Sequence, residues 1–341
     1  MNVAVICGGL STERNVSITG GKSVQSALLE LGHNAILVDP AYGANGTDSP
    51  DFNSIDMSIA PTLEDLKKFS TKSYLECIDS SIFDNIDVAF IVLHGNYGED
   101  GLIQSLLEFR GIPYTGSGVS ASALAFDKVK TKLICSAIGV LTPNWTVVQK
   151  KDIQIEGLGK DIKEAIGKEL VIKPNSQGST IGLTIIKNGN IFDIEDAIKL
   201  AAEYSDTVLI EEYIAGKELT VGIIGEEVLP VIEIVTEDGF YDYNHKYTKG
   251  KTNYICPAEI SPDIAEFTQN MAMTLYKSLG CKGFARVDFR LDDEGQPFCL
   301  ELNSIPGFTS QSLVPMAAKV IDLDFPEICS ILIDIALESK A

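Results

Sequence analysis

The densest run of chemistry-bearing residues lies between 283 and 303, GFARVDFRLDDEGQPFCLELN. A two-residue turn at Glu294-Gly295 would join two strands as a hairpin, because an X-Gly pair between alternating runs supplies the positive φ of a tight turn. Alternation then separates two faces. Ala285, Val287, Phe289 and Leu291 with Phe298, Leu300 and Leu302 make an apolar side fit for a core. Arg286, Asp288 and Arg290 with Glu301 and Asn303 make the other, and this register sets Asp288 opposite Glu301 and Arg286 opposite Asn303. Directly opposed residues have Cβ atoms roughly 4.5–5.5 Å apart, so two carboxylates and an amide oxygen converge on one small volume. Like charges that close call for a cation. Hard oxygens in such numbers, leaving positions for water and phosphate oxygens, are the ligand set of Mg²⁺. The same alternation would also serve a half-exposed sheet face carrying a surface salt bridge. The segment that follows, SIPGFTSQSL, leaves directly from the polar residues and is rich in Pro, Gly and hydroxyls, as binding loops are.

Around this hairpin stands a chain of 341 residues, 45% hydrophobic, with room for two or three domains that each bury a core. Its formal net charge of −21 argues against a nucleic-acid or anionic-membrane surface, since binding phosphate arrays draws on clustered Lys and Arg. Any anionic ligand must be met by a few local cations. The first residues, NVAVICGG, enter a strand without a basic segment or an apolar run of signal length. No stretch approaches the roughly 20 apolar residues of a membrane span, and a cytoplasmic protein is expected. Cys7, Cys77, Cys135, Cys256, Cys281, Cys299 and Cys329 are scattered, odd in number and free of any C-x-x-C, which points to buried reduced thiols.

Residues 3–38 read as a β-α-β unit: a strand to Cys7, Gly8-Gly9, a helix from about Ser17 to Leu31, Gly32, and a strand from Ala35. A glycine pair there lets backbone approach a ligand, although it is no dinucleotide fingerprint. Glu13 and Arg14 in this turn are either a solvated pair or ligand contacts. Residues 40–86 carry little pattern beyond a helix near 62–69 and read as a variable insertion. Asp87 to Leu93 is an apolar strand running into HGNYGEDG, where open α/β sheets bind ligands. His94 is therefore a candidate ligand contact, or a structural histidine bonded to loop backbone. A helix at 101–110 and a short strand at 112–115 follow.

One helical stretch after Gly118, ASALAFDKVKTKLICSAIG, precedes a boundary at Thr142-Pro143. A helical pattern at 160–170 leads to a strand, Leu170 to Lys173, then PNSQGSTIG and a strand to Ile186. That loop offers N–H groups and hydroxyls to phosphates, but its lysine precedes the glycines, so it is no Walker A loop. A plain flexible turn remains the alternative. After a helix at 196–204, Glu211 and Glu218 flank a strand from Val208 to Ile214, either solvated or binding sugar hydroxyls. Residues 239–259, aromatic, basic and aperiodic, read as a long functional loop, a lid over a phosphate ligand. Helices at Pro262 to Leu279 and Val320 to Leu337 complete the pattern.

Taken together, GGLSTERNVS, LHGNYGEDG, PYTGSG, FDKVKTK, VIKPNSQGSTIG, LIEEYIAGKELTVG, YDYNHKY, CKGFARVDF and LELNSIPGFTSQSLVP resemble the D-alanine–D-alanine ligases, enzymes of the ATP-grasp fold. The likeness spans nearly the whole chain, 40–86 least. It implies a mixed α/β and α+β chain in three domains. These are an N-terminal α/β domain (1–116), a small central α+β domain (117–212) and a C-terminal domain (213–341), with ATP between the last two. It also implies ATP-dependent joining of two D-alanines through an acyl phosphate, with two Mg²⁺ ions, or Mn²⁺, on Asp288, Glu301 and Asn303. By the same resemblance Lys128, Lys173 and Lys246 contact phosphates. Glu211 takes the adenine amino group, Tyr213, Ile214 and Phe240 lie near the nucleotide, and Glu218 takes the ribose. Glu13 would hold the first D-alanine's ammonium, linked through Ser179 to Tyr247 on the lid, with Ser179 near the phosphates as well. Arg286 and the Gly307 N–H would form an oxyanion hole, while Ser312 and the Leu313 N–H would bind the second carboxylate. The lid must exclude water, because an exposed acyl phosphate hydrolyses. A homodimer is the expected assembly.

Tyr247 favours the dipeptide, since a Phe there accompanies ligases that make D-alanyl-D-lactate. Gln311 and Thr180 depart from residues frequent in the family, which leaves D-serine, D-lactate or another amino acid as alternative acceptors. A nucleotide-binding module that has lost catalysis would show a broken set, yet Arg286, Asp288, Glu301 and Asn303 are all present.

Overall fold

The computed structural model describes every residue except 54, 56–60, 237–251 and 339–341, with residue 63 described by its backbone alone. Three sheets organise it. The first is parallel, in the order β2-β1-β3, from β1 (Asn2–Ile6), β2 (Asn34–Val38) and β3 (Val88–Ile91). Helix Arg14–Glu30 makes the crossover between β1 and β2, starting earlier than the periodicity suggests. The short strand expected at 112–115 is a single bridge, Ala89 to Tyr114.

The second sheet is antiparallel, in the order β4-β7-β5-β6: β4 (Trp145–Gln149), β5 (Leu170–Pro174), β6 (Thr184–Ile186) and β7 (Thr207–Glu212). Helices Leu158–Ile166 and Ile191–Ala202 bury Ile162, Ile194 and Ile198 against it. The strand expected to reach Ile214 ends at Glu212, so Tyr213 and Ile214 leave the sheet.

The third sheet has β8 (Lys217–Ile224), β9 (Glu227–Val228), β10 (Ile232–Thr236), β11 (Thr252–Ile255), β12 (Phe284–Leu291) and β13 (Pro297–Asn303). Its order is β11-β10-β8-β12-β13, with β9 paired to β8. Residues 252–255, expected within an unstructured loop, form β11 on the edge of this sheet. Helix Pro262–Leu279 packs behind it, started by Ser261 capping Ile264 N–H and Pro262 in the first turn, and stopped by Gly280 at φ 72°.

Two helices differ from the sequence pattern in ways that matter for the site. The stretch expected as one helix after Gly118 is two, Val119–Phe126 and Lys128–Ile138, because Asp127 turns extended and caps Lys130 N–H at 3.0 Å. Lys128 thereby stands at the start of a helix. Both segments pack on the third sheet, through Ala121, Ala125 and Cys135. The terminal helix expected from Val320 starts later, at Phe325 (Phe325–Glu338), and is preceded by a short helix the pattern did not mark, Leu313–Lys319, the two separated by Asp322 at φ 62°. Asp324 and Glu327 exchange hydrogen bonds at 2.9 Å and restart it.

The first sheet does not close its own core. Ile305, Phe308, Val314, Ile328 and Leu332 join Phe90 and Ile91 in one apolar cluster, and Phe308 packs its ring against Phe90, Phe284 and Phe325. Among the described residues no helix is long and apolar enough to cross a membrane.

Candidate active site

A cleft of about 990 Å³, part of it open to solvent, lies between the second and third sheets. On one side are Lys173, Gln177, Gly178, Ser179, Glu211, Tyr213 and Ile214; on the other are Glu218, Asp288, Arg290, Leu300 and Glu301, with Lys128 at the end.

The β12–β13 wall has the register that alternation suggests: Asp288 pairs with Glu301 and Arg286 with Asn303. Beyond Asp288 the ladder shifts, and Phe289 pairs with Cys299. The bulge places Leu300 and Glu301 together on the cleft side, while Cys299 and Leu302 enter the core. Phe298 and Leu300, expected in the core, are therefore only half-buried. The turn is longer than two residues. Residues 292–296 form it, and Asp292 accepts from Glu294 and Gln296 N–H at 3.0 and 2.7 Å, with Gly295 at φ 84°.

Asp288 is held from three directions. Arg286 donates Nε and Nη2 to its two oxygens at 2.8 Å each, Thr220 Oγ1 donates at 2.6 Å from β8, and Asn303 Nδ2 at 3.1 Å. Glu301 Oε2 lies 3.2 Å from Lys128 Nζ. Among the described residues no group of three His, Cys, Asp or Glu side chains could hold a metal unaided. Two carboxylates and an amide oxygen instead fit Mg²⁺, which is commonly bound by one or two carboxylates plus substrate phosphates.

Behind the cleft Glu211, 1% exposed, sits between two lysines. Lys173 Nζ approaches Oε2 at 2.5 Å and Lys132 Nζ pairs with Oε1, Lys132 also donating to Thr142 Oγ1 at 2.5 Å. Burial works against each charge, yet the two ammonium groups lower the Glu211 pKa and the carboxylate raises that of Lys173. The Glu211 side chain is thus already matched by the two lysines, and Tyr213 and Ile214 line the cleft just beyond it. Arg290 braces that turn, donating to Ile214 O at 3.1 Å, Gly216 O at 2.7 Å and Glu218 Oε2 at 3.5 Å.

The Gly/Ser loop reaches across to the first sheet. Ser179 and Thr180 adopt φ 49° and 65°, a left-handed conformation unusual outside Gly and Asn, of the kind that collects at ligand sites. In this conformation Ser179 Oγ hydrogen-bonds Glu13 Oε1. Glu13 is 8% exposed, and a side chain at Gly178 would collide with its other oxygen.

A second, smaller cavity of about 290 Å³ shares Lys128, Gly178 and Glu301 with the cleft and is also lined by Glu99 and Asn303. Glu99 accepts from Gly95 N–H at 2.7 Å, and burial, aided by the charge of Glu13, pushes its pKa up to about 8. The neighbouring His94 donates Nδ1–H to Ile305 O at 3.0 Å, which leaves Nε2 as a buried acceptor without a hydrogen-bond partner among the described residues; burial lowers its pKa. Gly307 and Ser312 lie on the loop that follows β13, outside the lining of both cavities. Ser312 Oγ accepts from Thr309 N–H at 2.9 Å, and Leu313 begins helix Leu313–Lys319.

A carboxyl that keeps its proton when folded but loses it near pH 4.5 when unfolded makes the folded state progressively less favourable as pH rises between these values. Glu99→Gln should therefore remove a stability loss of roughly 1 kcal/mol per pH unit between about pH 5 and 8. Denaturant midpoints of the two proteins across that range check it, and parallel pH profiles would count against it.

The family described as "D-ala D-ala ligase N-terminus" matches residues 2–117, and "D-ala D-ala ligase C-terminus" matches 134–334. The chain belongs to the D-alanine–D-alanine ligase family. It is 40% identical to a D-alanine–D-alanine ligase of Carboxydothermus hydrogenoformans over 345 aligned positions, covering 100% of this chain and 99% of that one. A D-alanine–D-alanine ligase of Desulforamulus reducens is 39% identical, with 99% of both covered. The crystal structure of the Bacillus anthracis ligase complexed with ATP superposes with a TM-score of 0.76 at 28% identity, over 100% of this chain and 98% of that one. The fold is a multi-domain ATP-grasp arrangement, as the resemblance implies. The N-terminal family match runs straight through 40–86.

Of the side chains that the ligase resemblance singles out, Lys128, Lys173, Ser179, Glu211, Tyr213, Ile214, Glu218, Asp288 and Glu301 line the cleft. Asn303 lines the adjoining cavity, Glu13 joins through Ser179, and Arg286 through Asp288. Phe240, Lys246 and Tyr247 lie outside the described residues. Lys132, Glu99, Thr220 and Arg290 were not legible as site residues. For Lys132 one signal existed: it stands four positions after Lys128, on the same helix face.

Proposed function

We propose that this protein joins two D-alanines into D-alanyl-D-alanine for peptidoglycan precursors, using ATP. A carboxylate oxygen of the first D-alanine attacks the γ-phosphorus and ADP leaves. The amine of the second then attacks the acyl carbon, and phosphate departs with the C–O bond. The observation that carries this reading is the meeting of Asp288, Glu301, Lys128 and Lys173 on one cleft whose far wall is linked by Ser179 to Glu13.

Each chain residue then has a task. Lys128 and Lys173 bind and orient phosphate oxygens, and Lys132 with Glu211 fixes where Lys173 points. Asp288, Glu301 and Asn303 would hold two Mg²⁺ ions, or Mn²⁺, whose positive charge offsets that of the β- and γ-phosphates. Glu218 takes the ribose hydroxyls, while Tyr213 and Ile214 lie near the adenine ring and Glu211 stands beside them. Glu13 binds the first ammonium. Arg286 and the Gly307 N–H receive the developing oxyanion, a duty worth on the order of 3–4 kcal/mol per donor. Ser312 and the Leu313 N–H hold the second carboxylate, with His94 close by. In this reading the chain divides into three units, 1–116, 117–212 and 213–341.

Two settings belong to the same reading. All seven cysteines are free and six are buried, which suits the reducing cytoplasm. Leu75, Leu102 and Phe109, the last 93% exposed, present apolar side chains on helices that touch each other, a surface suited to a homodimer.

The test is ADP release with D-alanine, with the product identified by mass; ATP turnover only with a different acceptor would overturn the reading. A narrower prediction concerns Gly178. Its Cβ would meet the flexible end of Glu13, so Gly178→Ala should leave thermal stability nearly unchanged but lower kcat/KM for the first D-alanine by about a hundredfold. Initial rates across D-alanine concentrations measure this, and parent-like values would refute the close approach.

A further inference from the structure

Beside the loop that carries Glu13, residues far apart in sequence build a buried charged cluster. Arg14, 3% exposed, donates Nη1 to Gly9 O at 2.7 Å and pairs through Nη2 with Asp39. Its Nε and Nη2 also fork onto Asp51 Oδ2 at 3.2 and 2.7 Å. The guanidinium lies 4.8 Å from the Phe69 ring centre. Asp39, fully buried, accepts in addition from Gly9 N–H, Ala41 N–H and Ser49 Oγ, each at 3.1 Å. Tyr74 OH accepts from Leu10 N–H at 3.1 Å. The backbone of Gly9 and Leu10 is thereby gripped from several sides.

We propose that Arg14, clamped by Asp39 and Asp51, is a positioning residue that fixes the Glu13 carboxylate for the first D-alanine, and that Asp39, Asp51, Phe69 and Tyr74 are its brace. The inference rests on the assignment of Glu13 to that substrate's ammonium. Glu13 is tied at its tip to Ser179, on a different sheet's loop, so its own backbone must supply the reference point. That backbone follows Gly8 and Gly9, both near φ 80°, a conformation that confers freedom unless something outside holds it. A planar guanidinium bridging two carboxylates fixes orientation as well as position, which a lysine would not. Buried ion pairs contribute little net stability compared with apolar packing, so stability alone gives no reason for this one.

The experiment resolves the KM of the first D-alanine, the KM of ATP and kcat for Glu13→Gln, Arg14→Lys, Asp51→Asn and the exposed control Lys72→Ala. Arg14→Lys and Asp51→Asn should raise the first-site KM about tenfold, with the ATP KM and kcat within about twofold, while Lys72→Ala matches the parent. Asp51 is part-exposed, so its variant folds even where Arg14→Lys does not. A first-site KM that stays at the parent value in both variants while Glu13→Gln raises it would overturn the brace alone. Equal rises in the ATP KM would also overturn it. An unchanged KM in Glu13→Gln removes the Glu13 assignment, and the brace with it.

Discussion

Replacing Glu301 with alanine is expected to lower kcat by about three orders of magnitude or more while leaving a folded protein. Glu301 faces the cleft directly opposite Asp288 by the regular register of the hairpin, and lies 3.2 Å from Lys128. Its side chain is 23% exposed, so truncation removes little packing. What it removes is one of the two carboxylates proposed to hold Mg²⁺ and the counter-charge of Lys128. Thermal melting separates folding from function, and ADP release at saturating ATP, D-alanine and Mg²⁺ reads the catalytic loss. Turnover within tenfold of the parent would sink the metal assignment.

Lys132→Met is the corresponding test of the cleft's foundation. Lys132 is fully buried and, with Lys173, neutralises Glu211. Breaking a buried pair from one side leaves a carboxylate poorly compensated, which typically costs about 3–5 kcal/mol. Met keeps the length and apolar stem, so the loss reports charge rather than volume. The urea midpoint should fall with the slope unchanged. No shift in the midpoint would mean that Lys173 alone satisfies Glu211.

The parts of this site that were legible in the sequence are those whose partners are close along the chain. Asp288 opposite Glu301 follows from a period of two within a single hairpin, and the first β-α-β unit from alternation of apolar runs. The bulge did not follow, because Cys299 N–H goes to Leu141 O at 2.7 Å, outside the ladder and over 150 positions away. β8, flanked by β10 and β12, is buried from Leu219 onward and shows no alternation to mark it. Lys132 escaped because a charged residue on a helix is ordinarily solvated, and Arg14 was legible only as half of a solvated pair or a ligand contact. Only the fold brings Glu211 to the one and Asp39 with Asp51 to the other.

The shared apolar cluster around Phe308 has a bearing on how the chain is made. The first sheet emerges from the ribosome early, yet the apolar cluster around Phe90 and Ile91 stays incomplete until Phe308, Val314, Ile328 and Leu332 have been synthesised. A nascent chain halted before residue 304 would present that incomplete cluster to chaperones. The loop from Ser304 to Ser312 is thus seated by the same late docking step that completes the core of the first sheet.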